Sequence, residues 1–199
     1  MAIRRDVSRV EPDALALRAL AHPQRLRMLG LLRIEGPATA TRLAERLGLN
    51  SGATSYHLRQ LARHGFIEED AGRGSKRDRW WRARHEMTNV PLGDAEGEAL
   101  EAGLAFSQAG LNWKIGQMQL ALANHAALPP DWRKASVLSD FIIPLEAEAA
   151  EALIGKLHAV LREAMETAPP LGGAYPAGVK PVMVVLHAFP RPPDGEDTP

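Results

Sequence analysis

The chain has 199 residues, 45% of them hydrophobic, and its 24 Lys and Arg residues balance 24 Asp and Glu residues. It contains no cysteine, which excludes disulfide bonds and thiolate metal sites. The sequence has neither a recognisable signal peptide nor an apolar run long enough to span a membrane, so we expect a cytoplasmic protein without a membrane-embedded part.

The zero net charge conceals two oppositely charged halves. Residues 1–90 carry 17 Lys and Arg against 10 Asp and Glu, a net charge of +7, whereas residues 91–199 carry 7 against 14, a net charge of −7. A basic half suits contact with nucleic acid, and an acidic half is repelled by it. The charges therefore indicate a nucleic-acid-binding module joined to a sensor or assembly module.

Two helices are predicted at the start of the chain. The apolar spacing of residues 12–20 is helical, and His22-Pro23 then interrupts the helix because the residue before a proline avoids the α region. Pro23 fits the first turn of a second helix, which ends at Gly36-Pro37. We expect His22 to be a capping or packing residue rather than a ligand.

A second pair of helices is predicted between residues 39 and 64. Thr39 is a good N-cap, Gly48 can take the positive φ that ends a helix, and Asn50 or Ser51 can cap the helix that follows. In this last helix one face is apolar, and the opposite face carries small polar and basic residues. These residues are Gly52, Ser55, Tyr56, Arg59 and Arg63. Such a helix can reach base edges in a major groove while its basic side chains hold phosphates.

A basic β-hairpin is predicted directly after these helices. Phe66-Ile67 and Trp80-Trp81 are short β-prone runs, and the glycine-containing segment 72–78 forms the tip between them. Four cations lie at this tip and suit a groove edge or phosphates, namely Arg73, Lys76, Arg77 and Arg79. The alternative is an ordinary amphipathic helix pair with a solvated basic face. The hairpin favours DNA binding over that alternative.

Four motifs together carry a family resemblance. They are Leu20-Ala-His-Pro-Gln-Arg-Leu-Arg-Met-Leu29, Leu43-Ala44, Ser55-Tyr-His-Leu-Arg-Gln-Leu61 and Gly65-Phe66-Ile67. Over about residues 10–85 the chain resembles the ArsR-type winged-helix transcriptional regulators. The resemblance implies a dimeric bacterial repressor or activator that leaves or alters its operator when an effector binds. The metal-sensing members of that family use cysteines, which this chain lacks.

The resemblance also implies which residues contact the operator. It places Ser51, Ser55, Tyr56, His57 and Arg59 at operator-contact positions. Helical periodicity places His57 beside the buried face, where its side chain would pack or touch phosphate instead.

A long helix is predicted over residues 94–126, after a linker at 89–93. Its apolar ladder consists of Leu100, Leu104, Leu111, Ile115, Met118 and Leu122. The ladder suits either a core helix or a dimer interface. We favour dimerisation, because one recognition helix reads too short a DNA site for good specificity.

The remainder of the second half is predicted to form a strand, a helix and a strand. Residues 136–143 and 181–189 are β-prone, and residues 144–167 between them have helical spacing. A single crossover of this length allows the two strands to pair, within one subunit or between two. The tail at 190–199 is rich in proline and acid and is expected to be disordered.

Four residues of the second half are candidates for contact with a small apolar effector. They are Phe106, Trp113, Met118 and Trp132, which could line a pocket between the long helix and the β-prone unit. Aromatic and methionine residues at helical spacing are more often simple core. The seven histidines are scattered, and no phosphate loop, serine elbow or histidine–carboxylate cluster is present. We therefore predict no metal, no cofactor and no enzymatic activity.

The sequence thus predicts a mainly α protein with small β elements, of the α+β class. Residues 1–88 form a winged helix-turn-helix DNA-binding domain, residues 89–189 a helical dimerisation and effector-binding region with a β-α-β unit, and residues 190–199 a disordered tail. The predicted function is a sequence-specific transcriptional regulator, a repressor that binds double-stranded DNA as a homodimer and is released by a non-thiolate effector. The alternative is an architectural DNA-binding protein or a winged-helix protein-docking module without an effector response.

Overall fold

The computed structural model describes residues 4–73 and 79–192. The elements within these ranges follow one another along the chain as β1 (Arg9–Val10), α1 (Ala14–Leu20), α2 (Pro23–Ile34), β2 (Ala38–Thr39), α3 (Ala40–Leu47), α4 (Ser51–Arg63), β3 (Ile67–Glu69), β4 (Trp80–Ala83), β5 (Met87–Thr88), α5 (Gly97–Asn124), a 3-10 turn (His125–Ala127), α6 (Pro130–Ala135) and α7 (Ala147–Thr167). The mainly α fold with small β elements is confirmed.

The helix-turn-helix pair α3 and α4 begins and ends at the predicted capping residues. The hydroxyl of Thr39 accepts a hydrogen bond at 3.3 Å from the backbone amide three residues later. The Asn50 side chain, rather than that of Ser51, caps α4 in the same way at 2.7 Å. Gly48 ends α3 with φ 66° and ψ 37°, the left-handed conformation that glycine adopts without a Cβ penalty.

One apolar core joins α1, α2, α3, α4 and the β3–β4 hairpin. Its fully buried large side chains include Leu20, Met28, Leu29, Leu58 and Phe66. Each of these contributes on the order of 1.5–3 kcal/mol through removal of apolar surface from water. The predicted buried face of α4 is confirmed, so the opposite face of that helix is fixed toward the outside.

The predicted hairpin is confirmed and gains a third strand. β3 and β4 pair antiparallel with Ile67 opposite Ala83, and β2 pairs with the other edge of β4 with Ala38 opposite Trp81. A separate parallel pair forms between β1 and β5. β1, β2 and β5 were not predicted, because strands of two residues carry no alternation pattern.

The predicted long helix is confirmed as α5, which has 28 residues. It packs against α1 and α2 of the winged helix, and Ala102 and Gly103 in its second turn are buried, with Gly103 facing Val90 and Leu92. Arg18 of α1 forms an ion pair with Glu98 in the first turn of α5. The first turns of α5 therefore contact the winged helix, and its later turns extend away from the common core.

The predicted β-α-β unit is wrong in its strands. Its helix is present as α7, but residues 136–143 and 181–189 form no strand among the described residues. Both segments are largely exposed, with Phe141 82% and Val182 66% accessible. β-propensity reports how well side chains fit a half-buried pleated surface, and a ladder also needs a neighbouring backbone to pair with. The described chain supplies no such neighbour to either segment.

An N-terminal arm attaches α7 to the winged helix instead. The Arg5 backbone amide donates to the Glu166 carbonyl oxygen at 3.0 Å, and Arg5 Nε donates to the Ala168 carbonyl oxygen at 2.9 Å. The same guanidinium donates to both carboxylate oxygens of Glu86, at 2.6 and 2.8 Å. Arg5 therefore ties the end of α7 to the segment between β4 and β5.

The predicted tail lies mostly outside the described residues. Residues 190–192 have no regular secondary structure, and the prediction for the rest of the tail concerns residues that the structure does not describe. In the ranges 4–73 and 79–192, no helix combines the length and the apolar character that a membrane span needs.

Candidate nucleic-acid interface

The outer face of α4 presents four of the nine predicted DNA contacts. Ser51, Tyr56 and Arg59 are exposed, and the side chain of Ser55 is half-buried beside them. They are held in place because Thr54, Leu58 and Leu61 are buried on the opposite side of the helix. The first turn of α4, which follows the N-cap Asn50, is exposed to solvent at Ser51 and Gly52. The helix dipole favours anions at this end of the helix.

A cleft between α4 and the hairpin brings three predicted contacts together. Ser55 and Arg59 of α4 and Arg79 at the start of β4 line this cleft, which encloses about 110 Å³, and Trp81 forms its floor. Residues separated by about 20 positions in sequence therefore meet at one edge of α4. A DNA backbone passing this edge would meet two guanidinium groups and a hydroxyl.

The described cations of the hairpin are paired with carboxylates. Arg79 Nε lies 3.1 Å from a Glu69 oxygen, and Arg73 Nε lies 3.5 Å from an Asp70 oxygen. Pairs of such exposed groups contribute only about 0–1 kcal/mol, so a phosphate can replace the carboxylate at little cost. The other two predicted hairpin contacts, Lys76 and Arg77, lie outside the described residues.

His57 lies in the middle of α4 and packs against His22. Its ring centroid lies 4.6 Å from that of His22, and its Nδ1 is buried without a hydrogen-bond partner within the described ranges. Burial lowers the pKa of His57, and His22 and Arg25 lower it further. Burial therefore favours the neutral form of the His57 ring, and contact of His57 with an operator stays a prediction.

The predicted capping role of His22 is confirmed. Its Nδ1 accepts a hydrogen bond from the Gln24 amide at 3.2 Å, at the N-terminus of α2. This hydrogen bond fixes the tautomer, with the proton on Nε2 in the neutral ring. Burial lowers the pKa of His22, and nearby Arg25 lowers it further.

Two further arginines, Arg42 and Arg25, lie beside this surface and were not predicted from the sequence. The exposed guanidinium of Arg42 on α3 lies 4.7 Å from the ring centroid of Trp80, a cation–π contact. Arg25 on α2 is close enough to Tyr56 for the two groups to interact electrostatically. The pairing of β2 with β4 places α3 beside Trp80, and the two-residue strand β2 gave no signal in the sequence.

The four candidate effector residues are spread over different environments. Phe106 is partly buried against the winged-helix core, and Trp113 packs over Gly30 of α2. Met118 is 41% exposed, and the Lys180 amine lies 5.6 Å from the ring centroid of Trp132. None of the four lines the 110 Å³ cleft or a second cleft of about 260 Å³ at the base of the hairpin. A shared effector pocket stays a prediction.

Ionisable side chains do not gather into a metal site. Within residues 4–73 and 79–192, no three or more His, Asp or Glu side chains converge as potential ligands.

Comparisons with known proteins agree on the N-terminal half. Residues 20–70 match a family described as a helix-turn-helix domain. A segment of 61 residues, 30% of the chain, is 46% identical to the HTH-type transcriptional regulator NmtR of Mycobacterium tuberculosis (strain ATCC 25618 / H37Rv). This match covers 50% of that curated relative, so the chain spans about half of its length.

Two solved structures are similar at a looser level. HlyU from Vibrio cholerae N16961 is 22% identical with a TM-score of 0.31, over 48% of this chain and 86% of that chain. The apo form of the Lactococcus lactis ZitR C30AH42A mutant is 17% identical with a TM-score of 0.31, over 73% of this chain and 83% of that chain. The family match, the curated relative and the hairpin that follows α4 identify residues 20–70 and β3–β4 as a winged helix-turn-helix domain, similar to those of ArsR-type regulators.

Proposed function

We propose that the protein is a sequence-specific transcriptional regulator that binds double-stranded DNA as a homodimer. The observation that carries the proposal is the outer face of α4, where Ser55, Tyr56 and Arg59 lie together beside Arg79 of the hairpin. Polar side chains that can read base edges are thereby combined with guanidinium groups that can hold phosphates.

The dimensions of α4 support insertion into a major groove. With 13 residues, the helix is about 20 Å long at roughly 1.5 Å per residue, and a major groove about 12 Å wide admits one helix. Ser51 and Ser55 have short side chains that allow the helix backbone to approach the bases. Arg59 and Arg63 are exposed one to three turns later, where side chains meet the sugar–phosphate backbone.

The exposed apolar row of α5 supports a dimer. Leu104, Leu111, Ile115, Met118 and Leu122 are between 36% and 62% exposed. Their spacing of seven, four, three and four residues is that of a coiled-coil seam. A row of this kind favours a helix that packs against a second helix over a helix that only caps its own core. Two copies of α4 would then read two half-sites, which supplies the specificity that one helix lacks.

We further propose that the regulator is a repressor released by an effector that does not use thiolates. The resemblance of residues 10–85 to ArsR-type regulators favours this mode, and the absence of cysteine excludes thiolate ligands. A small apolar molecule contacting Phe106, Trp113, Met118 and Trp132 would act on α5, which packs on α1 and α2. In a reporter fusion, deletion of the regulator should raise transcription from its own target promoter, and a fall would indicate an activator.

Selection of DNA from a random library with the purified protein tests the central proposal. The expected result is an inverted repeat whose half-sites lie about 10 bp, one helical turn, apart from centre to centre. Steep salt dependence without an enriched sequence would support the architectural alternative. Absence of binding at low salt would refute DNA binding and support a protein-docking module.

A further inference from the structure

A second cleft lies on the side of the hairpin away from α4. It encloses about 260 Å³ where the end of α2, the end of β4 and the loop after α7 meet. The side chains that matter for its chemistry are Leu32, Arg33, Arg82, Arg84, His85 and Leu171. Neither the DNA-binding surface nor the candidate effector residues include any of them.

A half-buried arginine forms part of the wall of this cleft. Arg33 Nε donates to the His85 carbonyl oxygen at 2.8 Å, and its Nη2 donates to the Thr88 hydroxyl at 2.9 Å. Burial lowers the pKa of Arg33 to about 10, against the opposing effect of Glu86. Among the described residues these two nitrogens make all of its hydrogen bonds, which leaves Nη1 as a donor for a ligand.

Positive charge around the cleft exceeds the carboxylates that could neutralise it. Glu86 already receives two hydrogen bonds from Arg5 and is also the carboxylate that acts on Arg33. Glu68 is likewise shared, at 2.7 Å from Arg82 and at 3.4 Å from Arg84. Two carboxylates are therefore shared by four guanidinium groups. The net positive charge that remains would attract an anion into the cleft.

The positive charge around the cleft also affects the pKa of His85. Its Nδ1 is buried and has no hydrogen-bond partner within the described part of the chain. Burial lowers the pKa of His85, Arg84 and Arg33 lower it further, and only Glu68 acts in the opposite direction. Burial favours the neutral imidazole, and the described residues leave the hydrogen-bonding capacity of its Nδ1 unused.

The rest of the cleft is apolar and closed by a tight backbone contact. Leu32, Pro37, Ala83 and Leu171 supply hydrocarbon surface to its wall. Gly36 and Gly172, with φ of 89° and 78°, approach each other so closely that a Cβ on Gly172 would lie 3.0 Å from the Gly36 Cα. This contact holds the loop after α7 against the end of α2 and fixes the far wall of the cleft.

We propose that this cleft binds a small organic carboxylate, with the carboxylate on the arginines and a compact hydrocarbon body against Leu32, Ala83 and Leu171. A guanidinium group matches a carboxylate in plane and spacing, which a single ammonium does not. The ligand would contact the base of the hairpin through Arg84 and the loop after α7 through Leu171. The proposal stands independently of DNA binding, because it uses none of the residues proposed to contact DNA.

Titration of the ¹⁵N-labelled full chain with benzoate, followed by NMR, tests this proposal. Benzoate should shift the amide signals of Gly36, Ala83 and Gly172 and raise the pKa of the His85 ring, because its negative charge offsets the neighbouring arginines. Benzyl alcohol, which has the same ring without the charge, should leave these signals unchanged. Inorganic phosphate, which has charge without a hydrocarbon body, should bind at least tenfold more weakly than benzoate.

Arg84→Gln and Arg79→Gln provide a matched pair of variants. Both residues are exposed guanidinium groups of β4 or its flanks, each paired with one carboxylate of β3, and only Arg84 lines this cleft. Arg84→Gln should weaken benzoate binding about tenfold or more, since a hydrogen bond to a charged group is lost, and Arg79→Gln should leave it unchanged. Equal binding of benzoate and benzyl alcohol, equal binding of phosphate, equal effects of the two variants or no shift at millimolar benzoate would each overturn the proposal.

Discussion

The contact between Gly36 and Gly172 leads to a quantitative prediction for Gly36→Ala. Gly36 has φ 89°, and an alanine Cβ there would overlap the Gly172 carbonyl oxygen and lie 3.1 Å from the carbonyl carbon. The left-handed backbone costs about 1–2 kcal/mol with a Cβ, and overpacking costs a further ~1–3 kcal/mol. Reduced freedom of the unfolded chain returns about 0.4–1 kcal/mol. The free energy of unfolding should therefore fall by about 1–5 kcal/mol, with a midpoint of ~3 kcal/mol, as the sum of these terms.

Gly48→Ala separates the contact from the backbone strain. Gly48 also has positive φ, at 66°, but an added Cβ would meet no atom within 4 Å. This control should lose no more than about 1–2 kcal/mol, the strain alone. Urea unfolding followed by circular dichroism measures both variants, and limited proteolysis after residue 168 reports whether the loop has left α2. Equal losses in the two variants would show that the loop after α7 does not contact α2 in solution.

Four further predictions concern DNA binding, assembly and pH. Lys76→Ala with Arg77→Ala should weaken binding to specific and random duplex about equally and flatten the slope of log K against log salt by about two units, as measured by fluorescence anisotropy. Tyr56→Ala should instead lose discrimination among sequences, at about 1–3 kcal/mol for one base pair. Ile115→Asp should convert the dimer to a monomer in light scattering, because it places a charge in the apolar row of α5. Because the pKa of His57 is lowered in the fold, the unfolded state binds more protons, and the free energy of unfolding should fall as the pH drops below about 6.5. His57→Gln should reduce this fall, as measured by urea unfolding at pH 7.5 and 5.5.

The predictions for Tyr56→Ala and Ile115→Asp have controls in the same chain. Arg63 is exposed on α4 at a position proposed to face phosphate. Arg63→Ala should weaken binding to the specific and the random duplex equally and leave the ratio of the two affinities unchanged, in contrast to Tyr56→Ala. Gln119→Asp adds the same charge to an exposed position of α5 outside the apolar row and should leave the dimer intact. A monomer produced by Gln119→Asp would indicate that the apolar row of α5 is not the dimer interface.

The sequence predicts elements whose signals are local. Thr39, Gly48 and Asn50 act through the backbone within three residues of themselves, so the limits of α3 and α4 can be read from the residue types alone. The exposed side of α4 follows from the period of its buried face. These rules are enough to place Ser55, Tyr56 and Arg59 on one surface.

Elements that depend on distant partners could not be predicted. The segments 136–143 and 181–189 have strand-forming residues, but a strand exists only where another backbone pairs with it. The two-residue strand β2 exists because β4 lies beside it. The second cleft, proposed to bind a small organic carboxylate, is lined by Arg33, Arg84 and Leu171 from three separate parts of the chain, and no spacing in the sequence relates these residues.

The central claim is that the outer face of α4 reads a DNA sequence. The most direct measurement is the ratio of two dissociation constants at 150 mM salt, one for a duplex recovered by selection and one for the same duplex with its bases shuffled. Specific regulators bind their sites on the order of 10³-fold or more tighter than random DNA, and we expect a ratio of that size, reduced at least tenfold by Tyr56→Ala. A ratio near one, or a large ratio that Tyr56→Ala leaves unchanged, would contradict the role proposed for α4.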